Sequence, residues 1–370
     1  MAVPAKVKFV NRDQAKFFPT LKKRVDAYFK ENNVKKTANG LMYFKVVFYA
    51  GGLAASYLAL LLGNFPLAVQ YGLWIVMGLL MACIGLNLCH DAIHGSFSNK
   101  KWANNALGAL FNIVGANDYM WDITHNKAHH MFTNIQDHDE DIEMPFMRLT
   151  ESQTWKKHHR YQQIYAFFMY PLATLLWVLL KDYKKFFKGN IGSYDTSNHP
   201  KSQMWRMFFF KAVHYTMFIV LPFMFLSVAW YHILFGILLM HFFEGYLLAI
   251  IFKLAHEVDI ADFPVPNDEN VINQSWAAHQ LYTTANFATD NYFLNFIAGG
   301  LNFQVEHHLF PTICHVHFPK LQKMVKETAE EFGLPYHNQK TFAKAVKNHY
   351  DLLKRMGASA DAKKTSLAAA

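Results

Sequence analysis

Cysteine is close to absent from this chain. Cys83, Cys89 and Cys314 are the only ones, with no C-x-x-C spacing, which argues against a disulfide framework. Charge is also scarce: Asp, Glu, Lys and Arg make up 17% of the sequence, against roughly 25% in an ordinary soluble domain. The first 40 residues contain no leading apolar run, so no secretory signal peptide is expected, and no repeat of solenoid period is visible. Neither H-E-x-x-H nor E-x-x-H occurs, which disfavours zinc-peptidase chemistry and the soluble di-iron carboxylate bundle. In place of charge there is apolar surface, with 52% hydrophobic residues, 16% aromatic and 34 Phe. That is a membrane composition. A mean hydropathy of only +0.03 means that apolar blocks alternate with polar, basic ones.

Four apolar runs, 41–63, 65–88, 208–231 and 233–254, each have about the 20 residues a helix needs to span the hydrocarbon core. They form two hairpins. Of the 36 Lys and Arg, ten precede residue 41, thirteen lie between the hairpins and eleven follow from Lys253; Lys45 and Lys211 sit near the ends of their runs, where a long stem can snorkel. Neither hairpin tip carries a basic residue, and the positive-inside bias then puts both termini and the central region in the cytoplasm. A fifth stretch, 164–180, contains Pro171. Its crossing would put the basic N-terminal and C-terminal regions on opposite sides, so it is read as interfacial or re-entrant, with a short true span as the alternative.

The chain also holds 20 His. His90 and His94 stand in HDAIH, His125, His129 and His130 in HNKAHH, and His307 and His308 in QVEHH with Gln304 three residues ahead. On a helix, i and i+4 share a face, so each H-x-x-x-H could give two imidazoles to one ion. The adjacent His130 points about 100° away, which suits two neighbouring metals better than one. With four spans, all three clusters lie on the cytoplasmic side. The expected fold is an all-α integral membrane protein, four transmembrane helices in two hairpins with a cytoplasmic helical cap holding a di-metal site. Neutral imidazole suits iron, copper or zinc.

HDAIHGSFS, HNKAHHMFTN and LNFQVEHHLFP resemble the three histidine boxes of the membrane fatty acid desaturase family. Gln304 in place of the first His of the third box is similar to the front-end branch, which includes linoleoyl-CoA and delta-5/delta-6 acyl desaturases. The resemblance covers roughly 41–319. It implies a non-haem centre of two iron ions that activates O2, removes two hydrogens from neighbouring methylenes of an acyl chain and forms a double bond and water. By the same resemblance the ligands are His90, His94, His125, His129, His130, His307 and His308, with His256 after the fourth span as an extra ligand. For Gln304 three roles stay open: direct iron ligand, ligand through water, or a group that orients a neighbour. Asp91, Asp137, Asp139 and Asp141 are candidate acceptors for imidazole N–H groups. His158, His159, His279, His315 and His317 lack box spacing and are read as structural or surface residues. The aromatic stretches 117–122 and 276–292 are candidate walls of an acyl channel.

The implied partners are a fatty acyl substrate, as acyl-CoA or acyl lipid, O2, membrane lipids and a separate electron donor, ferredoxin or cytochrome b5. The last follows because no H-P-G-G haem motif of a fused cytochrome b5 domain is present; His199-Pro200 continues Lys-Ser. No nucleic-acid partner is expected. The basic surface implied by the net charge of +9 would suit an acidic donor or anionic headgroups equally. The expected organisation is an N-terminal cytoplasmic segment (1–40), a desaturase domain (41–319), C-terminal cytoplasmic helices (320–356) and a disordered tail (357–370). Leu321, Met324, Val325 and Thr328 mark the first of those helices, Gly333 to Pro335 a turn, and 341–355 the second. Competing functions are a hydroxylase or sphingolipid desaturase using the same boxes, and a non-catalytic membrane protein binding metal or haem.

Overall fold

An apolar run of about 20 residues forms a helix because only a helix satisfies its backbone polar groups within the segment. The computed structural model describes residues 4–11, 14–144 and 146–358 and is mostly helical; all but the first two residues of the expected tail lie outside the described residues. Among the described residues, five helices are long and apolar enough to cross a membrane: Gly40–Leu62, Leu67–Ile93, Lys157–Phe186, Lys201–Phe225 and Trp230–His256. Asn39 caps the first, its side chain accepting from Met42 N.

Three boundaries differ from the hydropathy runs. The second helix continues to Ile93 because Asn87, His90 and Asp91 are buried against protein. The run at 208–231 is helical from Lys201 and ends at Phe225, where Leu226 turns extended; hydropathy cannot separate an apolar turn from an apolar helix. The stretch 164–180 is the middle of a 30-residue helix. A 3-10 turn at Tyr170–Leu172 and a π turn at Trp177–Lys181 interrupt it, the first containing Pro171, which cannot donate an intrahelical bond.

Trp230–His256 packs along Leu67–Cys83. Gly78 permits the approach, since a Cβ there would overlap the Met240 carbonyl, and small residues let membrane helices close on each other. Lys45 and Lys211 do not snorkel outward. They are 2% and 3% exposed. Lys211 Nζ donates to Asp182 Oδ2 and to the Gly115 carbonyl, both at 2.7 Å. Lys45 Nζ donates to Asn87 Oδ1 at 2.7 Å and lies 2.9 Å from His315 Nε2. Each buried cation therefore has fixed acceptors, which offset part of its desolvation cost.

The polar segments fold into a helical layer over one end of these helices. Phe17–Glu31, unanticipated in the polar first 40 residues, buries Phe17, Leu21, Val25 and Phe29 at four-residue spacing. It packs on Phe318–Glu331, which buries Leu321, Val325 and Thr328 and leaves Met324 half-buried. Thr341 caps Phe342–Gly357. Short strand pairs tie distant segments together: Lys8–Phe9 runs parallel to Val271–Ile272, and Asn286–Phe287 parallel to Asn338–Gln339.

Candidate metal centre

The histidine motifs sit where helices change pitch. Leu67–Cys83 passes into a π-helical segment, Ile84–Cys89, then into one α turn, His90–Ile93, with His94 as its C-cap. Asp118–Trp121 leads into a second π-helical segment, Asp122–His129, followed by His130–Phe132. The plain α-helical spacing expected for the second motif is thus replaced by a wider turn, of a kind frequent at functional sites. His125 and His129 still face the same region, their rings stacked with centroids 5.2 Å apart. His256 is the last residue of Trp230–His256, and Gln304–Leu309 carries the third motif.

The nine expected residues come together. His90, His94, His125 and His307 offer nitrogens all within 4.8 Å of one another. His129, His256 and His308 form a second such group, and His130 with His307 and His308 joins the two. The Gln304 amide nitrogen lies 2.7 Å from His256 Nε2, and its Oε1 is buried without a hydrogen bond among the described residues.

Outer contacts set the tautomers of the second group. His129 Nδ1 lies 2.8 Å from Asp139 Oδ2, His256 Nδ1 3.3 Å from the Thr283 carbonyl, and His308 Nδ1 2.7 Å from Gln280 Oε1. All three partners are acceptors, so each neutral ring holds its proton on Nδ1 and turns an Nε2 lone pair inward. With both rings neutral, His129 Nε2 and His256 Nε2 face each other as two lone pairs at 3.2 Å, an arrangement that a shared cation stabilises. His308 Nε2, His307 Nε2, His94 Nε2 and both nitrogens of His90 are buried without a hydrogen bond among the described residues. Buried polar atoms are normally paired, so this donor set fits metal ions.

Burial, reinforced by neighbouring imidazoles, holds His94, His125, His130, His307 and His308 well below the ordinary histidine range. Neutral rings are what a metal requires. At His129 burial is the largest single influence and pulls down, but the charge and hydrogen bond of Asp139 together with the charge of Asp141 make the net shift upward. Glu306 faces away from the histidines and accepts from Asn286 Nδ2 and Tyr336 OH; burial pushes its carboxyl up to about 7.

The four aspartates separate. Asp139 orients His129 and also accepts from Asn134 N at 2.9 Å. Asp141 Oδ2 lies 3.8 Å from His129 Nδ1, too far for a hydrogen bond. Asp91 accepts from the Cys314 thiol and from His315 N and Nδ1, while His90 Nδ1 is 3.9 Å away. Asp91 therefore fixes His315 rather than a box histidine. Asp137 is exposed in a left-handed turn, φ 65°, and among the described residues it reaches none of the histidines. His279 and His317 are buried, His317 Nε2 meeting the Thr37 carbonyl and the His279 ring lying 4.9 Å from that of Phe9.

Sequence reasoning missed Gln280 and Thr283 as groups that orient ligands, although both fall in the aromatic stretch 276–292. Their signal is tertiary. In the other stretch, Trp121 stacks on His125 with centroids 4.1 Å apart.

Comparison with known proteins agrees with this geometry. The family model described as fatty acid desaturase matches residues 64–340. The chain is 33% identical over 362 residues to an acyl-lipid (8-3)-desaturase of Physcomitrium patens, covering 95% of this chain and 74% of the relative. It is 30% identical over 350 residues to the sn-1 linoleoyl-lipid 6-desaturase of Arthrospira platensis, covering 94% of each, and 32% identical over 359 residues to that of Synechocystis, covering 96% and 99%. With three quarters of its length inside the family match and its histidines converging as they do, the chain belongs to the fatty acid desaturase family, oxidoreductases that introduce double bonds into fatty acyl chains.

Proposed function

We propose that this desaturase is of the front-end type, acts on acyl chains carried by membrane lipids, and uses two iron ions. One ion is assigned to His90, His94, His125 and His307, the other to His129, His256, His308 and Gln304, with His130 between them. When bound, iron supplies the O2 chemistry that removes two hydrogens from neighbouring methylenes. The protein's own residues hold neutral imidazoles in place and exclude water from the reacting chain. Asp139, the Thr283 carbonyl and Gln280 keep three ligand rings in one tautomer. Gln304 supports the front-end reading, and the acyl-lipid desaturases among the relatives support a lipid-borne substrate. The observation that carries the metal assignment is the convergence of buried imidazole nitrogens, those of His90, His94, His307 and His308 without hydrogen bonds among the described residues, into two adjoining groups.

We infer four membrane spans, with Lys157–Phe186 re-entrant and both termini cytoplasmic. Both ends of Lys157–Phe186 are tied to the polar layer. Gln162 donates to the Leu353 carbonyl in Phe342–Gly357, and Lys185 pairs with Glu140, the neighbour of Asp139, at 3.1 Å. Its middle dips beside Trp230–His256, where the Pro171 carbonyl meets Gly245. Basic residues flank it on both sides, so crossing would carry one basic cluster to the wrong face. Electrons come from a ferredoxin or a cytochrome b5.

The test is expression in a host of defined fatty-acid composition, with lipids analysed by mass spectrometry beside a His129→Ala control. New double bonds on the carboxyl side of existing ones, in lipid-linked chains, are expected for the wild type alone. Hydroxylated products, or no new species when an electron donor is supplied, would refute the reading.

A further inference from the structure

Just ahead of the third histidine motif the polar layer changes character. No charged side chain stands between Asp290 and Glu306. This stretch opens with the short helix Tyr292–Ala298, capped by Asn291, whose side chain accepts from Leu294 N. Its first two residues, Tyr292 and Phe293, are 89% and 73% exposed. Adjoining apolar rings left this bare mark a surface that meets something other than water.

What it meets follows from where the helix sits, which is against the flank of Gly40–Leu62. The Phe296 ring lies 6.4, 5.9 and 5.4 Å from those of Phe44, Phe48 and Tyr49, and Tyr49 OH donates to the Phe296 carbonyl at 2.8 Å. Tyr49 is nine residues into Gly40–Leu62, roughly 13 Å along its axis at 1.5 Å per residue. Residues three and four apart share a helix face, so Tyr292 and Phe293 lie one turn from Phe296 on the same side. Phe44 and Phe48 are themselves half exposed, and the apolar surface of the span continues onto the short helix. On its other flank Asn87 Nδ2 donates to the Ile297 carbonyl at 2.8 Å, and Gly299, φ 61°, packs where a Cβ would overlap the Leu86 carbonyl. Leu86 and Asn87 belong to Leu67–Ile93. The segment is thus wedged between two membrane helices at the ends nearest the histidines.

We propose that Tyr292–Ala298 is a lipid-contacting wedge, with Tyr292 and Phe293 inserted into the leaflet that borders the polar layer, and that it holds the third histidine motif at a fixed depth from the bilayer surface. This rests on the reading of Gly40–Leu62 as a span. Aromatic side chains, tyrosine above all, suit the boundary between headgroups and acyl chains. An acidic protein partner would be met by lysines, and this surface has none. The wedge is joined firmly to the motif that follows it: Asn302 Nδ2 donates to Asn295 Oδ1 at 2.6 Å, and a Cβ on Gly300, φ 76°, would overlap the His315 side chain. Its depth is therefore passed on to Gln304, His307 and His308. An acyl chain carried by a bilayer lipid then meets the histidines at a set distance from its headgroup.

The test introduces single cysteines into the full-length chain, labels them with a fluorophore and reconstitutes the protein in phosphatidylcholine vesicles. Cys83, Cys89 and Cys314 are buried, so the introduced thiol takes the label. At Phe293→Cys the label is expected to be quenched by a nitroxide placed shallow on the lipid acyl chain and to escape aqueous iodide, in high salt as in low. Ala55→Cys, exposed midway along Gly40–Leu62, should respond to a deep nitroxide, and Lys323→Cys, on a side chain 85% exposed in the polar layer, to iodide alone. Iodide quenching at Phe293→Cys equal to that at Lys323→Cys overturns the wedge; iodide quenching at Ala55→Cys overturns the span reading instead. A second arm compares media. Phe293→Asp should lower the ratio of desaturation of one lipid in vesicles to that in detergent micelles, with iron content as in the wild type. An unchanged ratio overturns the positioning role, and a wild type inactive in both media with its electron donor supplied overturns the desaturase reading.

Discussion

Asp139→Asn tests the metal centre at the point where structure and chemistry are most tightly joined. Asp139 is 1% exposed and accepts three N–H groups: His129 Nδ1 at 2.8 Å and Asn134 N at 2.9 Å on Oδ2, and Asp141 N at 3.0 Å on Oδ1. An asparagine cannot serve all three. Its oxygen can take the place of Oδ2 and keep the first two bonds, but its amide nitrogen then meets the Asp141 N–H, donor against donor. Leaving a buried donor unsatisfied costs about 1–3 kcal/mol, and the lower end applies because Asp141 is partly exposed and water can reach it. The metal contribution is separate. Losing the charged partner of a ligating imidazole typically weakens metal binding 10- to 100-fold, about 1.4–2.8 kcal/mol. The assay is an iron titration of purified protein with bound iron measured directly, beside a thermal melt of the metal-free form. The expected result is a half-saturation shifted by at least tenfold and a small drop in Tm, with Asp137→Asn, on an exposed turn, moving neither. A variant that binds iron like the wild type but melts earlier would show that Asp139 only shapes its turn.

Chelation should lower Tm and ferrous iron restore it, since a ligand bound at 100 times its Kd stabilises the folded state by about 2.7 kcal/mol; a melt indifferent to chelator contradicts the metal assignment. Lys211→Met leaves Asp182 buried without its cation and should destabilise by about 3–5 kcal/mol, whereas Lys323→Met breaks only an exposed pair with Glu327 and should cost less than about 0.5 kcal/mol; equal melts for the two would refute the burial argument. His349 is buried, with Tyr170 OH donating to Nε2 and Nδ1 donating to the Glu257 carbonyl, and burial lowers its pKa to about 4. The neutral ring is thus the folded form: its contribution is complete above about pH 6.5 and is lost as pH falls from there toward 4, by roughly 3 kcal/mol. His349→Gln should lessen the slope of that part of the stability-versus-pH curve by one group's share, the other buried histidines keeping theirs, and an unchanged slope there would refute the assignment.

What the chain reveals before folding divides along physical lines. Long apolar runs are legible because the requirement behind them is local, and the histidine motifs because their spacing survives a change from α to π geometry. Helix ends were less legible. The helix Leu67–Ile93 outlasts its hydropathy because neighbouring segments bury His90 and Asp91, and Lys201–Phe225 stops inside an apolar stretch. Lys45 and Lys211 read as lipid-facing from position alone, yet both point inward to acceptors supplied by Asn87 and Asp182, more than one helix away in sequence. The same limit hid Gln280 and Thr283. Their roles depend on which carbonyl or amide oxygen arrives at an imidazole Nδ1, and no spacing rule carries that. Asp91 shows the converse, since adjacency to His90 suggested a partnership that geometry gives to His315.

His90 and His256 stand at the ends of the two helices whose contact is closed at Gly78 and Met240. The placement of the first motif relative to His256 is therefore set by one helix-to-helix register, and a slip of a single residue would rotate each side chain by about 100°.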